Sequence, residues 1–188
     1  MPVPAASAEF SAPAQAHSVA LLGLGSNLGD RREHLHAAVL ALQAHGAVLA
    51  VSSLYETAPV GIAEQPAFLN AALLLRTSLP PEALLQSMLA IERSQGRVRS
   101  QAGIDSPRGG PRTLDLDLLL YDAQIVSSPL LTLPHPELHR RRFVLAPAAE
   151  IAPELVHPAL HRTLAQLLDA LEDAGSNRIA AVERLGPL

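Results

Sequence analysis

Two aspartates stand two residues apart in the stretch Arg112-Thr113-Leu114-Asp115-Leu116-Asp117-Leu118. Side chains of a β-strand alternate between its faces. On a strand, Asp115 and Asp117 therefore share one face, with Cα atoms on the order of 7 Å apart, while Leu114, Leu116, Leu118 and Leu120 point into a core. Carboxylates so placed repel each other unless a cation lies between them. Hard oxygen donors suit Mg²⁺, which takes one or two carboxylates and completes its shell with water and substrate phosphates. Two such ions about 4 Å apart could join the pair to nucleotide phosphates. An amphipathic strand with a solvated acidic face gives the same pattern, so the pair alone leaves both readings open.

The segment that runs into this strand is basic. Between residues 97 and 112 lie Arg97, Arg99, Arg108 and Arg112 against one acid, Asp105, in a chain whose net charge is −4. Arginine offers a planar fork matched to phosphate oxygens; a solvated loop paired to nearby acids is the plainer reading. Gly96, Gly103, Gly109 and Gly110 in the same segment suggest a mobile lid. Further on, His135 in Pro134-His135-Pro136 could donate to a phosphate, and Arg140-Arg141-Arg142 adds positive charge. The chain has three phenylalanines, and Phe68 and Phe143 could wall a slot for a flat heterocycle, although a phenylalanine is more often core. His135/His139 and His157/His161 have helical spacing for zinc, but the prolines at 134, 136 and 158 argue against regular helix and no third ligand is evident. The turn from Gly23 to Gly29 lacks the Lys-Ser/Thr ending of a P-loop.

The elements that must hold these residues read as follows. Val19–Leu24 is a buried strand, and Asp30 or a near neighbour can cap a helix carrying Leu35, Val39 and Leu42 that ends at Gly46. Ala47–Tyr55 is a second strand, 56–66 a loop, and Phe68–Thr77 a third strand. Pro81 opens a helix reaching about Gln95. Thr113–Tyr121 is the fourth strand, and Phe143–Glu150 and Leu160–Leu171 are helices. The order β-α-β-β-α-β followed by helices predicts an α+β fold: a ferredoxin-like βαββαβ core with an antiparallel sheet and additional C-terminal helices. One sheet face would carry the helices, and the other would be covered by loops or open to a ligand. Residues 1–18 read as a flexible extension, 19–175 as one domain and 176–188 as a tail.

The chain has 188 residues, 48% of them hydrophobic, which suits one globular domain. Aromatics are 3%, so the core must be aliphatic. The acidic balance excludes a general nucleic-acid binder, and the few aromatics disfavour an RNA-binding module built on the same strand order. Cysteine is absent, so no disulfide framework or thiolate chemistry is expected, in keeping with a reducing cytoplasm. No apolar run is long enough for a transmembrane helix.

Gly110-Pro111-Arg112-Thr113-Leu114-Asp115-Leu116-Asp117 together with Gly25-Ser26-Asn27-Leu28, Val51-Ser52-Ser53, Gln65-Pro66-Ala67-Phe68-Leu69-Asn70, Ile91-Glu92, Gly96-Arg97-Val98-Arg99, Leu133-Pro134-His135 and Glu150-Ile151-Ala152-Pro153-Glu154-Leu155 resembles the 6-hydroxymethyl-7,8-dihydropterin pyrophosphokinase family over about Val19 to Pro158. The resemblance implies a ferredoxin-like fold with long mobile active-site loops and transfer of diphosphate from ATP to the pterin. It implies two Mg²⁺ ions on Asp115 and Asp117, and catalytic roles for these with Arg97 and Arg112. Glu92, Arg97, Arg99, Arg112, His135 and Arg141 would line the ATP site, with Gln65 at its border. Thr57, Phe68, Asn70 and Phe143 would bind the pterin. A cytoplasmic monomer is expected, with no nucleic-acid or membrane partner. The loop between Arg99 and Pro111 looks longer than in compact bacterial relatives and lacks the Trp often found there.

Overall fold

The computed structural model describes residues 17–59, 64–97, 110–173 and 182–188. The first strand, β1 (Ser18–Ser26), leads to helix α1 (Arg31–Leu42), whose N-terminus is capped by the Asp30 side chain accepting from the Glu33 N–H. Strands β2 (Ala47–Val51), β3 (Ser53–Thr57) and β4 (Phe68–Thr77) follow, then helix α2 (Pro81–Ser94) with proline in its first turn, and strand β5 (Asp115–Tyr121). Two short ribbons, β6 (Val126–Ser127) with β7 (Thr132–Leu133) and β8 (Val156–His157) with β9 (Arg162–Thr163), flank helix α3 (Arg142–Ile151). Helix α4 (Leu164–Asp173) and strand β10 (Val182–Pro187) complete the described chain.

The main sheet runs β10-β3-β4-β1-β5, with β2 also on β4, and every described pairing is antiparallel. This is the expected βαββαβ core with its second strand broken in two. The break is at Ser52, which is buried. Its N–H donates to the Ala72 carbonyl and its hydroxyl accepts from the Ala72 N–H, so a side chain replaces one rung of the ladder.

Both faces carry helices, a correction to the expectation that one would be left to loops or ligand. Leu22, Leu24, Leu69, Ala71, Leu73 and Leu75 pack with Leu35 and Leu42 of α1 and Leu84 and Met88 of α2. On the opposite face Leu21, Ala72, Leu119 and Leu120 pack with Leu145 and Ala148 of α3 and Leu164 and Leu167 of α4. Strand alternation predicts Leu120 beside Leu114, Leu116 and Leu118, but it lies in the second cluster. The reason is a β-bulge: Leu118 pairs with Leu22 and Leu120 with Leu21, so Leu119 is an extra residue that reverses the alternation. The tail expected over 176–188 likewise contains an edge strand, β10, paired to β3. No described helix is long and apolar enough to cross a membrane.

Candidate active site

The face that α3 and α4 cover at the Leu21 end changes character at the other end of β1. Strand pairing places Gly23 opposite Asp117 and Ala72, and Gly25 opposite Asp115 and Asn70. Directly paired residues point to the same side. The central strand thus presents two bare glycines where its neighbours present carboxylates and an amide. A Cβ on Gly25 would lie 3.2 Å from Asn70 Oδ1, 3.8 Å from Asp115 Cβ and 4.0 Å from the Phe68 ring. Asp115, Asn70 and Phe68 therefore converge over Gly25. Thr57, paired with Phe68 on β3, accepts a hydrogen bond from Asn70 Nδ2 at 2.8 Å, which fixes the amide's orientation.

The arginines close the acidic side. Arg97 Nη1 bonds to both the Glu92 and the Asp115 carboxylates and donates to the Leu114 carbonyl at 3.1 Å. Arg112 Nη1 lies 3.2 Å from the other Asp115 oxygen, and its guanidinium sits 5.3 Å over the Phe68 ring. Glu92, expected along the ATP site, is 1% exposed. Its Oε1 accepts from the Leu116 N–H at 2.8 Å. Because β5 is the edge strand, that N–H has no strand neighbour to bond, and a helix carboxylate takes the place of one.

Asp117 differs from Asp115. Among the described residues no hydrogen bond or ion pair reaches its carboxylate. Burial, and then the charge of Asp115, push it up to about 7, with Arg112 and Arg141 pulling the other way. A carboxyl so destabilised as an anion is one that a cation would restore to full charge. Among the described residues no group of three or more His, Cys, Asp or Glu is placed to hold a metal ion by itself. An aspartate pair with hard oxygens and open positions fits Mg²⁺ shared with phosphates. Among the described residues, buried Arg112 Nε and Thr113 Oγ1, at the start of β5, have no hydrogen-bond partner.

On the far side, His135 Nδ1 accepts from the Glu137 N–H at 3.2 Å, which leaves Nε2–H as the donor. Burial, and then Arg141, hold His135 below the ordinary histidine range, so it is neutral. Arg141 pairs with Glu137 at 3.3 Å and covers the Phe143 ring at 5.8 Å, at the start of α3. Each of the two expected pterin walls thus carries a guanidinium over its face. Arg99, Arg108 and most of the lid expected between Gly96 and Pro111 lie outside the described residues, as does most of the extension over 1–18.

Two positioning groups receive no role in the reading of motifs, although Asn27 stands in the Gly25-Ser26-Asn27-Leu28 stretch. Asn27 and Arg31 tie the segment before Phe68: Asn27 to Gln65 and Pro66, Arg31 to the Ala67 carbonyl at 2.7 Å and Glu56 at 2.8 Å. Only the Gly-x-Gly spacing of Gly23 and Gly25, which puts both on one strand face, hints at the floor of the site.

A family model described as 7,8-dihydro-6-hydroxymethylpterin-pyrophosphokinase matches residues 21–153. The chain is 45% identical over 141 residues to the 2-amino-4-hydroxy-6-hydroxymethyldihydropteridine pyrophosphokinase of Bacillus subtilis, spanning 74% of this chain and 81% of that one. It is 43% identical over 160 residues to the Pseudomonas aeruginosa protein of the same name, spanning 84% and 94%. Among solved structures, wild-type HPPK-DHPS of Plasmodium falciparum superposes with a TM-score of 0.68 at 14% identity, a likeness of fold. It covers 88% of this chain, which spans about half the length of that one, 47%.

Proposed function

The chain belongs to the 7,8-dihydro-6-hydroxymethylpterin-pyrophosphokinase family and transfers diphosphate from ATP to 6-hydroxymethyl-7,8-dihydropterin in folate biosynthesis, and we propose that the cluster over Gly23 and Gly25 is where it does so. The observation that carries this reading is the register of β5 on β1. It sets Asp115 and Asp117 on one face opposite two glycines, with Asn70 and Phe68 adjoining.

The pterin lies against Phe68 and Phe143 and hydrogen-bonds Asn70, whose amide Thr57 orients. Asp115 and Asp117 would hold two Mg²⁺ ions, which would supply neutralisation of the phosphate charge. The hydroxymethyl oxygen forms a bond to the β-phosphorus and gives up its proton to water, the bond from that phosphorus to the oxygen bridging to the α-phosphorus breaks, and AMP departs. No side chain need form a covalent bond; alignment and charge stabilisation provide most of the acceleration. Arg112 and Arg141 reach the phosphates, and neutral His135 donates from Nε2. Arg97, which pairs with Asp115 and Glu92 in this structure, would serve the phosphates, with Arg99 and Glu92 completing the ATP side.

AMP formation from ATP and the pterin, with and without Mg²⁺, tests the scheme. Asp115→Ala and Asp117→Ala should each lower kcat by at least about a thousandfold, with the fold retained by circular dichroism. Near-normal AMP production by either variant would rule out the metal role.

A further inference from the structure

One row of directly paired residues crosses the whole main sheet: Arg184 on β10, Tyr55 on β3, Asn70 on β4, Gly25 on β1 and Asp115 on β5. Residues paired in this way point to one side, so the face of the site continues past Asn70 to β10. Strand β3 is five residues long. Three of them, Tyr55 to Thr57, pair with β4, whereas all five pair with β10. Strand β10 is therefore the larger part of what fixes β3. At the end of β3, opposite Val182, stands buried Thr57, whose hydroxyl accepts from Asn70 Nδ2.

Little apolar burial keeps β10 in place. Most of the strand is exposed, and Glu183 lies opposite Glu56, a like-charge pairing that opposes docking. The ties are polar. Arg184 donates from Nε to Ser53 Oγ at 3.0 Å and from Nη2 to Glu150 at 2.8 Å. Arg32 of α1 donates to the Pro187 carbonyl at 3.3 Å. Arg184 thus binds β10 both to β3 and, through Glu150, to α3.

We propose that Arg184 is a positioning residue for the pterin: by locking β10 along β3 it holds Thr57, and through Thr57 it holds the Asn70 amide in the orientation that receives the ring. The inference rests on the pterin placement given under Proposed function. The last torsion of an asparagine has broad, roughly two-fold freedom, and the bond to Thr57 selects one orientation. A β3 free to shift at Thr57 weakens that bond and lets the amide turn. The phosphate side is built on β5, at the opposite edge of the sheet from β10, so the loosening acts on the pterin alone.

Steady-state kinetics of the full chain with Mg²⁺, each substrate varied in turn, tests this. Arg184→Ala should raise the KM for the pterin by about fivefold and change kcat and the KM for ATP by less than about twofold. The effect is modest because solvent screens the exposed guanidinium. Arg184→Lys keeps the charge but not the fork that reaches Ser53 and Glu150 together. Its pterin KM should lie between those of the wild type and the alanine variant, and it reads the same split if Arg184→Ala fails to fold. Thr57→Ala should raise the pterin KM by itself, and adding Arg184→Ala should then change little more, because the arginine acts through the threonine. General destabilisation would add its effect in full. Matched rises in both KM values, full additivity in the double variant, or a folded Arg184→Ala with the wild-type pterin KM would each overturn the proposal. Asn70→Ala with the wild-type pterin KM would instead defeat the placement of the pterin, and the proposal with it.

Discussion

At the scale of single residues, the site depends as much on missing atoms as on reactive ones. Gly25 has no Cβ, and the space that atom would fill is bounded by the Asn70 amide, Asp115 and Phe68. Its backbone lies in ordinary strand geometry, so alanine meets no conformational barrier there and the effect of substitution is local crowding. A contact at 3.2 Å to Asn70 Oδ1 must be relieved, and Asn70 is held from behind by Thr57. Gly25→Ala should therefore raise the KM for the pterin by about tenfold, on the order of 1–2 kcal/mol, while the KM for ATP changes by less than about twofold. Steady-state kinetics with each substrate varied in turn measures this, and a matched rise in both constants would contradict the placement of the pterin. The aspartate pair is legible in the sequence because spacing by two is enough to put side chains on one strand face. The partners of Arg97 are not: that the end of α2 abuts β5, bringing Glu92 and Asp115 to one guanidinium, is a fact of tertiary packing.

At the scale of elements, one carboxylate adds polar ties to the apolar packing of α3 on the sheet. Glu150 accepts from Tyr55 Oη at 2.7 Å, Ser53 Oγ at 2.8 Å, the Ser53 N–H at 3.2 Å and Arg184 Nη2 at 2.8 Å, and so joins α3, β3 and β10. Burial alone would raise its pKa, but these hydrogen bonds win and hold it below the ordinary carboxylate range. A folded pKa below the unfolded one gives stability that is present above the unfolded pKa and lost as pH falls through the folded value. Tyr55 runs the other way. Burial, and then Glu150, push it up to about 12, so its contribution is complete below 10 and fades as pH climbs toward 12. Glu150→Gln should lower Tm by several degrees at neutral pH, from a loss of about 1–3 kcal/mol, and the gap from wild type should close in strong acid. Thermal melts across pH check this; a gap constant down to the lowest pH would remove Glu150 from the account. The same region shows where sequence patterns fall short. Phe68–Thr77 is legible as a strand from end to end, since its apolar residues are continuous. The bulge at Leu119 is not, because the run Leu118-Leu119-Leu120 is apolar on whichever face it falls. Strand β10 reads as a tail because Glu183 and Arg184 give it no apolar pattern, and its partner β3 lies more than a hundred residues away.

At the scale of the whole molecule, the distribution of charge matters more than its total. The chain is net acidic, yet Arg97, Arg112 and Arg141 gather against Glu92, Asp115 and Asp117, a cluster close to neutral before ligands arrive. Burial and the neighbouring Asp115 push the Asp117 carboxyl well above the ordinary carboxylate range, so its negative charge is costly to hold. Such a site has little attraction for bare ATP, whose triphosphate would meet two aspartates as well as the arginines. On the reading proposed above, Mg²⁺ alone would have to compete with Arg97 and Arg112 for the Asp115 oxygens. With cation and nucleotide both present, Asp115 and Asp117 would hold the metal, and Arg97 and Arg112 would be available to phosphate. The cation and the nucleotide should thus bind as mutual requirements, each raising the other's affinity by at least about tenfold. Isothermal titration of ATP should show this as a loss of affinity of that size when EDTA removes Mg²⁺, and titration of Mg²⁺ without nucleotide should give a weak constant, on the order of millimolar. Asp117→Asn separates this account from simple metal chelation by ATP in solution. It removes a repulsive charge, so it should leave ATP affinity in EDTA unchanged or better while abolishing the gain from Mg²⁺. A variant that keeps the full magnesium dependence would show that the metal acts on the nucleotide and not through the aspartate pair.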